Sequence, residues 1–225
     1  MRLTGYLLTA FIISLISLIG FSCMAILISG NKIVQLDQNV ISFIQGFESP
    51  PLTSIMKCFT YVGSFHIVFG IFVIVAFFLY FILKHRLELL LFCTVVIGTP
   101  IINQVLKQFF HRVRPDLHRL IEIGGYSFPS GHAMNALAVY GILSFLFWRH
   151  IPSRLWRTTL IIISTIIVLM IGISRIYLGV HYPSDIIGGY FASGFWLTIS
   201  IYFFRRYKEK RKTRENLSGN TSRSK

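Results

Sequence analysis

The sequence predicts an all-α integral membrane protein, a six-transmembrane-helix bundle with an interfacial helix between the first two spans. Three observations predict it. Hydrophobic residues make up 54% of the 225 and charged residues 13%, with a mean hydropathy of +0.66, whereas a water-soluble domain carries about a quarter charged residues. Six apolar stretches, about 7–28, 65–83, 87–106, 132–148, 155–173 and 186–204, have near the ~20 residues a helical span needs. The cations between them are unevenly distributed, as membrane proteins require.

The first span follows Arg2 and runs 22 residues from Leu7 to Ile28. That is too long for a signal-peptide core, so it is expected to be a retained signal-anchor helix. In the 36 residues 29–64, Ile33, Leu36, Val40, Ile44 and Phe47 repeat at helical spacing opposite Gln35, Gln38, Asn39 and Gln45. This pattern suits a helix in the interface or over the bundle mouth, either a lid or a passive connection, with Pro50-Pro51 expected to end it. The fourth span carries Asn135 and opens at Ser130-Gly131. The fifth is rich in Ile and Val, which in water would hint at strand. An isolated strand in lipid cannot satisfy its backbone, so helix is expected. Residues 1–204 thus form one membrane domain. Residues 205–225, with nine of the 22 Lys and Arg, are expected to be a disordered, basic, cytoplasmic tail.

Placing both ends in the cytoplasm puts fifteen cations inside and seven outside, as the positive-inside rule requires. Five of those seven lie in or beside three charged, Gly/Pro-marked segments: Lys107 to Pro115, Tyr126 to His132, and Ser174 to Asp185. With six spans all three emerge on one face, so groups scattered over residues 107–185 can converge outside the cytoplasm. Ionisable groups clustered at membrane depth are expensive and mark a functional site. Two histidines and several cations with few carboxylates point to chemistry on an anion, and a phosphate is the obvious one.

The composition also argues against other classes. Beside a membrane segment the basic tail points to anionic lipid rather than nucleic acid, so no nucleic-acid partner is expected. Cys23, Cys58 and Cys93 are far apart and show no metal-binding or disulfide spacing; Cys23 and Cys93 are expected to pack within apolar runs. The eight acids form no dense cluster of the kind two-metal phosphatases use, so no metal and no cofactor are expected.

Three motifs occur in order: Lys107, six intervening residues and Arg114-Pro115; Pro129-Ser130-Gly131-His132; and Ser174-Arg175 followed by His181 and Asp185. In residues, spacing and six-span frame the chain resembles the type 2 phosphatidic acid phosphatase superfamily, the lipid phosphatases that share a site with vanadium haloperoxidases. Its short loops look like the bacterial phosphatidylglycerophosphatase B group. The resemblance implies that His181 is a nucleophile forming a phosphohistidine, and that His132 is the acid that protonates the leaving group and then the base that activates water. It also implies that Lys107, Arg114 and Arg175 hold the phosphoryl oxygens. Asp185, one helical turn beyond His181, is placed to take the other ring N–H and fix the tautomer. Ser130 and the amide of Gly131, at a helix N-terminus, are placed to receive an anion. Arg112, Arg119, His111 and His118 lie outside the signature and receive no role.

The expected function is therefore a lipid phosphatase in a bacterial plasma membrane, acting on the phosphatidylglycerol phosphate, phosphatidic acid or undecaprenyl diphosphate class, with its site facing outside. A phosphotransferase would use the same residues. A lipid or anion transporter would instead predict internal repeats, and the sequence shows none.

Overall fold

The computed structural model describes residues 2–116, 118–148 and 150–223. The described residues form eight α-helices: α1 (Arg2–Ser29), α2 (Val34–Gln45), α3 (Pro50–Val62), α4 (Phe65–Phe77), α5 (Arg86–Phe110), α6 (Gly131–Trp148), α7 (Arg154–Tyr177) and α8 (Pro183–Arg223). The last turn of α4 widens into a π-helical turn, Phe78–Ile82. Six of the helices, α1 and α4 to α8, are long and apolar enough to cross a membrane. The chain is a multi-pass membrane protein.

Helix α8 is the hub. Its bulky side chains press against glycines on three neighbours: Phe191 on Gly20 of α1, Trp196 on Gly98 of α5 and Leu197 on Gly141 of α6. A Cβ at any of the three would stand 2.6 Å from the opposing side chain. Small residues facing large ones let membrane helices approach closely, where lipid supplies no hydrophobic drive. Helix α1 runs antiparallel to α8, with Phe11 against Tyr202 and Arg205 over the Tyr6 ring. Phe92, Val95, Val139 and Ile142 fill the centre between α5 and α6.

One expectation for residues 29–64 is corrected. Pro50-Pro51 does not merely end a helix; it opens a second one, α3, because proline is tolerated in a first helical turn where its missing N–H costs nothing. Much of the apolar stripe around α2 faces away from the bundle, as suits a helix in the interface. Ile44 is half-buried, but Leu36 and Phe47 are 55% and 59% exposed, and the fully buried residues are Asp37 and Ile41. Apolar periodicity marks the protein-facing side only where water lies opposite; at a membrane boundary, lipid takes the apolar stripe.

Beyond Phe204, α8 continues as helix to Arg223. Lys, Arg and Glu are good helix formers, and extending an existing helix avoids the cost of nucleation. Cys23, expected to pack, lies exposed on α1.

Candidate active site

Four chain segments meet at the end of the bundle opposite the termini. Helix α5 brings Lys107 in its last turn and stops at His111, which adopts a left-handed cap conformation with its N–H bonded to the Lys107 carbonyl. The loop beyond carries Arg112 and Arg114. A cis Phe128-Pro129 bond leads into Ser130, whose hydroxyl faces the Ala133 N–H at 3.5 Å as an N-cap for α6. Asn103 of α5 pins this turn by donating to the Pro129 carbonyl at 2.9 Å. His132 therefore stands in the first turn of α6. Arg175 ends α7, and His181 sits in the short connection before Pro183 opens α8.

His181 is 2% exposed. Its Nδ1 lies 3.3 Å from Asp185 Oδ2 and its Nε2 lies 3.1 Å from Arg114 Nη1. Asp185, fully buried, also accepts from the Ser127 hydroxyl, from the Tyr182 N–H at 2.9 Å, and from Arg112 Nη1 at 2.6 Å. A carboxylate can only accept, so the neutral imidazole carries its proton on Nδ1 and turns the Nε2 lone pair toward Arg114 Nη1, which can only donate. Burial pulls the His181 pKa down to about 4, the nearby Arg175 and Arg114 charges acting in the same direction and the Asp185 contacts opposing it. The ring is thus neutral at physiological pH.

The cations expected at the site gather around this ring. Lys107 Nζ donates to the Tyr126 carbonyl at 2.7 Å, and Arg114 Nη2 reaches the same oxygen at 3.2 Å. Arg114 is further held by the Gly125 and Val180 carbonyls. Desolvation lowers its pKa and the Asp185 carboxylate partly offsets this, but a guanidinium stays charged. Arg175, 1% exposed, donates from Nη1 to Thr60 Oγ1 at 2.6 Å, while its Nε and Nη2 are buried with no partner among the described residues. Such donors are costly unless an acceptor visits. His132 lies within the electrostatic reach of Arg175, His181, Lys107 and Arg114. It also backs onto Gly63, where a Cβ would come 3.4 Å from its ring.

All the named histidines, cations and Asp185 therefore converge. Ser130 and Gly131 lie at the N-terminus of α6 as expected, but the Ser130 hydroxyl faces its own helix, and Gly131 packs against Asn103. Sequence reasoning passed over Arg112, Asp37, Ser127, Ser184 and Thr60. Arg112 reaches both Asp185 and Asp37, the latter 75 positions away in sequence, and no local pattern announces such a pairing. Among the described residues, no three His, Cys, Asp or Glu side chains gather as a metal site.

Known proteins carry the same arrangement of sequence and fold. A sequence profile of the PAP2 superfamily matches residues 88–209. Phosphatidylglycerophosphatase B of Bacillus subtilis (strain 168) is 32% identical over 196 residues, spanning 84% of this chain and 95% of that protein. Lipid A 4'-phosphatase of Bacteroides thetaiotaomicron is 29% identical over 185 residues, 72% of this chain and 75% of that one. The crystal structure of a transmembrane PAP2 type phosphatidylglycerolphosphate phosphatase from Bacillus subtilis superposes with a TM-score of 0.74 at 30% identity, covering 88% of this chain and 96% of its own. With its three motifs assembled at one end of six spans, the chain belongs to the PAP2 superfamily.

Proposed function

We propose that the protein is a membrane lipid phosphatase that hydrolyses a phosphomonoester or diphosphate headgroup through a phosphohistidine on His181. The observation that carries this reading is the buried imidazole whose Nδ1 faces Asp185 and whose Nε2 opens beside Arg114. In the first step Nε2 bonds to phosphorus as the bond to the leaving oxygen breaks, and His132 gives that oxygen a proton. The ring becomes cationic, and Asp185 stabilises it through Nδ1–H. In the second step His132 takes a proton from water as the water attacks phosphorus; the N–P bond breaks and inorganic phosphate departs. Lys107, Arg114 and the unpaired nitrogens of Arg175 neutralise the phosphoryl oxygens throughout, which is the main catalytic demand of this chemistry. The Gly131 amide at the head of α6 adds a further donor.

The headgroup class follows the relatives, a glycerolipid or saccharolipid monophosphate or a polyprenyl diphosphate, with the lipid tail left in the bilayer. The cation bias of the loops supports cytoplasmic termini and a site on the outer face. The donor set supports chemistry that needs no metal.

The test is phosphate release by the purified protein, with chelator present and no acceptor added, from phosphatidylglycerol phosphate, phosphatidic acid and undecaprenyl diphosphate. Release from at least one of them, abolished in His181→Ala, is expected. A His181→Ala protein working at full rate would end the proposal, and transfer only in the presence of an added acceptor would replace hydrolysis with phosphotransfer.

A further inference from the structure

We propose that Arg112 and Asp37 are positioning residues for catalysis, and that α2 is a fixed brace holding Asp185 against His181 rather than a lid. The proposal rests on the reading of Asp185 as the group that orients the nucleophile.

The geometry is a chain of charge-assisted bonds running from α2 to the imidazole. Arg112 Nη2 donates to Asp37 Oδ2 at 2.8 Å, and its Nη1 donates to Asp185 Oδ1 at 2.6 Å. One planar guanidinium thus separates and bridges two carboxylates, each 0% exposed, a task for which lysine lacks the fork. Ser184 closes the ring: its hydroxyl accepts from Arg112 at 2.7 Å and donates to Asp37 at 2.5 Å, and its N–H donates to Asp37 Oδ1 at 2.9 Å. The guanidinium also lies 4.1 Å above the centre of the Tyr182 ring. The neighbouring Tyr182 N–H and Ser127 hydroxyl hold the second oxygen of Asp185. With both oxygens engaged, the Asp185 carboxylate has no freedom to rotate away from Nδ1.

The far end of α2 is tied to the same loop. Gln45 Nε2 donates to the His118 carbonyl at 2.9 Å and to the Tyr177 carbonyl at 3.2 Å, and Glu48 meets the His118 ring at 2.9 Å. A swinging lid would have to break the buried Asp37–Arg112 pair at each turnover, and breaking one partner of such a pair is strongly destabilising. Asp37 is the single charged residue of α2, and it is buried. A buried acid on a connecting helix needs a reason, and the link to Asp185 supplies it.

The experiment compares full-length Arg112→Ala, Arg112→Lys, Asp37→Asn and Asp185→Asn with the unaltered protein, using dioctanoyl phosphatidic acid in mixed micelles. Folding is monitored by thermal unfolding. For Arg112→Ala and Asp37→Asn the expected result is a kcat about 10–100-fold lower, the size typical of losing an outer-shell partner of a functional group. KM should stay within about twofold, because the substrate is not touched. Low-millimolar guanidinium should restore part of the kcat of Arg112→Ala and none of that of Asp37→Asn, and Arg112→Lys should remain impaired. A kcat unchanged in both variants, or a loss confined to KM, overturns the inference. If Arg112→Ala does not fold, Asp37→Asn decides alone, since it keeps the Arg112–Asp185 pair and an acceptor for the Ser184 N–H. Asp185→Asn separates the two levels. If it is crippled while the Arg112 and Asp37 variants are intact, only the brace fails. If Asp185→Asn is fully active, the orienting role proposed for Asp185 fails with it.

Discussion

Arg175→Met should make the protein more stable while disabling it. Arg175 is 1% exposed, and among the described residues only its Nη1, of the three guanidinium nitrogens, has a partner, Thr60. The other two, Nε and Nη2, are buried and unpaired. A buried unsatisfied donor costs about 1–3 kcal/mol, and more when charged. Methionine keeps the apolar stem, removes both orphan nitrogens, and loses one hydrogen bond worth about 1 kcal/mol. Replacing buried charge with a well-packed apolar group is commonly neutral or stabilising by about 1–4 kcal/mol. At about 2–4 °C per kcal/mol for a chain of this length, the anion-free Tm should rise by several degrees. The assay is thermal unfolding in phosphate-free detergent buffer, with and without orthovanadate as the phosphoryl mimic. Vanadate at about 100 times its Kd should stabilise the unaltered protein by about 2.7 kcal/mol and shift the variant far less. Turnover of the variant should fall about 10²–10³-fold, as when a donor to a developing oxyanion is lost. An Arg175→Met protein that melts several degrees lower without anion, or that keeps the full vanadate shift, would refute the reasoning.

Two further outcomes follow from the same site. His181 has a folded-state pKa of about 4 against 6.5 unfolded, so between those values the unfolded chain binds more protons. Stability should therefore fall as pH drops from 6.5 towards 4, by up to about 3 kcal/mol, and His181→Gln should flatten that slope in a Tm-against-pH series; equal slopes would contradict the burial argument. For sidedness, Gly124→Cys in a background lacking Cys23, Cys58 and Cys93 places a thiol in an exposed loop where a Cβ meets nothing within 4 Å. A membrane-impermeant maleimide should label it in intact cells, and labelling only after lysis would invert the orientation.

These predictions draw unequally on sequence and structure. The convergence of Lys107, Arg114, His132, Arg175, His181 and Asp185 into one candidate site was legible because each sits at a fixed offset within a short motif, and because an even count of spans between motifs puts them on one face. Arg112 was visible in the same loop, yet nothing local set it apart from Arg119. Only the fold shows that Arg112 bridges two buried carboxylates, while Arg119 reaches back to the Pro115 carbonyl and the exposed Asp116. In residues 29–64 the apolar stripe was legible, and Leu36 and Phe47 do face outward, but nothing local announced that Asp37 is the buried residue of that helix.

The sequence by itself determined the class of molecule and the six spans, because hydropathy over ~20 residues is a local quantity that lipid and backbone hydrogen bonding read directly, and motif spacing marked the candidate groups. Tertiary structure decided the rest. It seated bulky side chains of α8 on distant glycines, aimed the Asp185 oxygens, left two Arg175 nitrogens without a partner, and brought Asp37 to Arg112. Each of those outcomes depends on a pairing between remote segments, and the energy of such a pairing is set by burial and angle, neither of which exists until the helices pack.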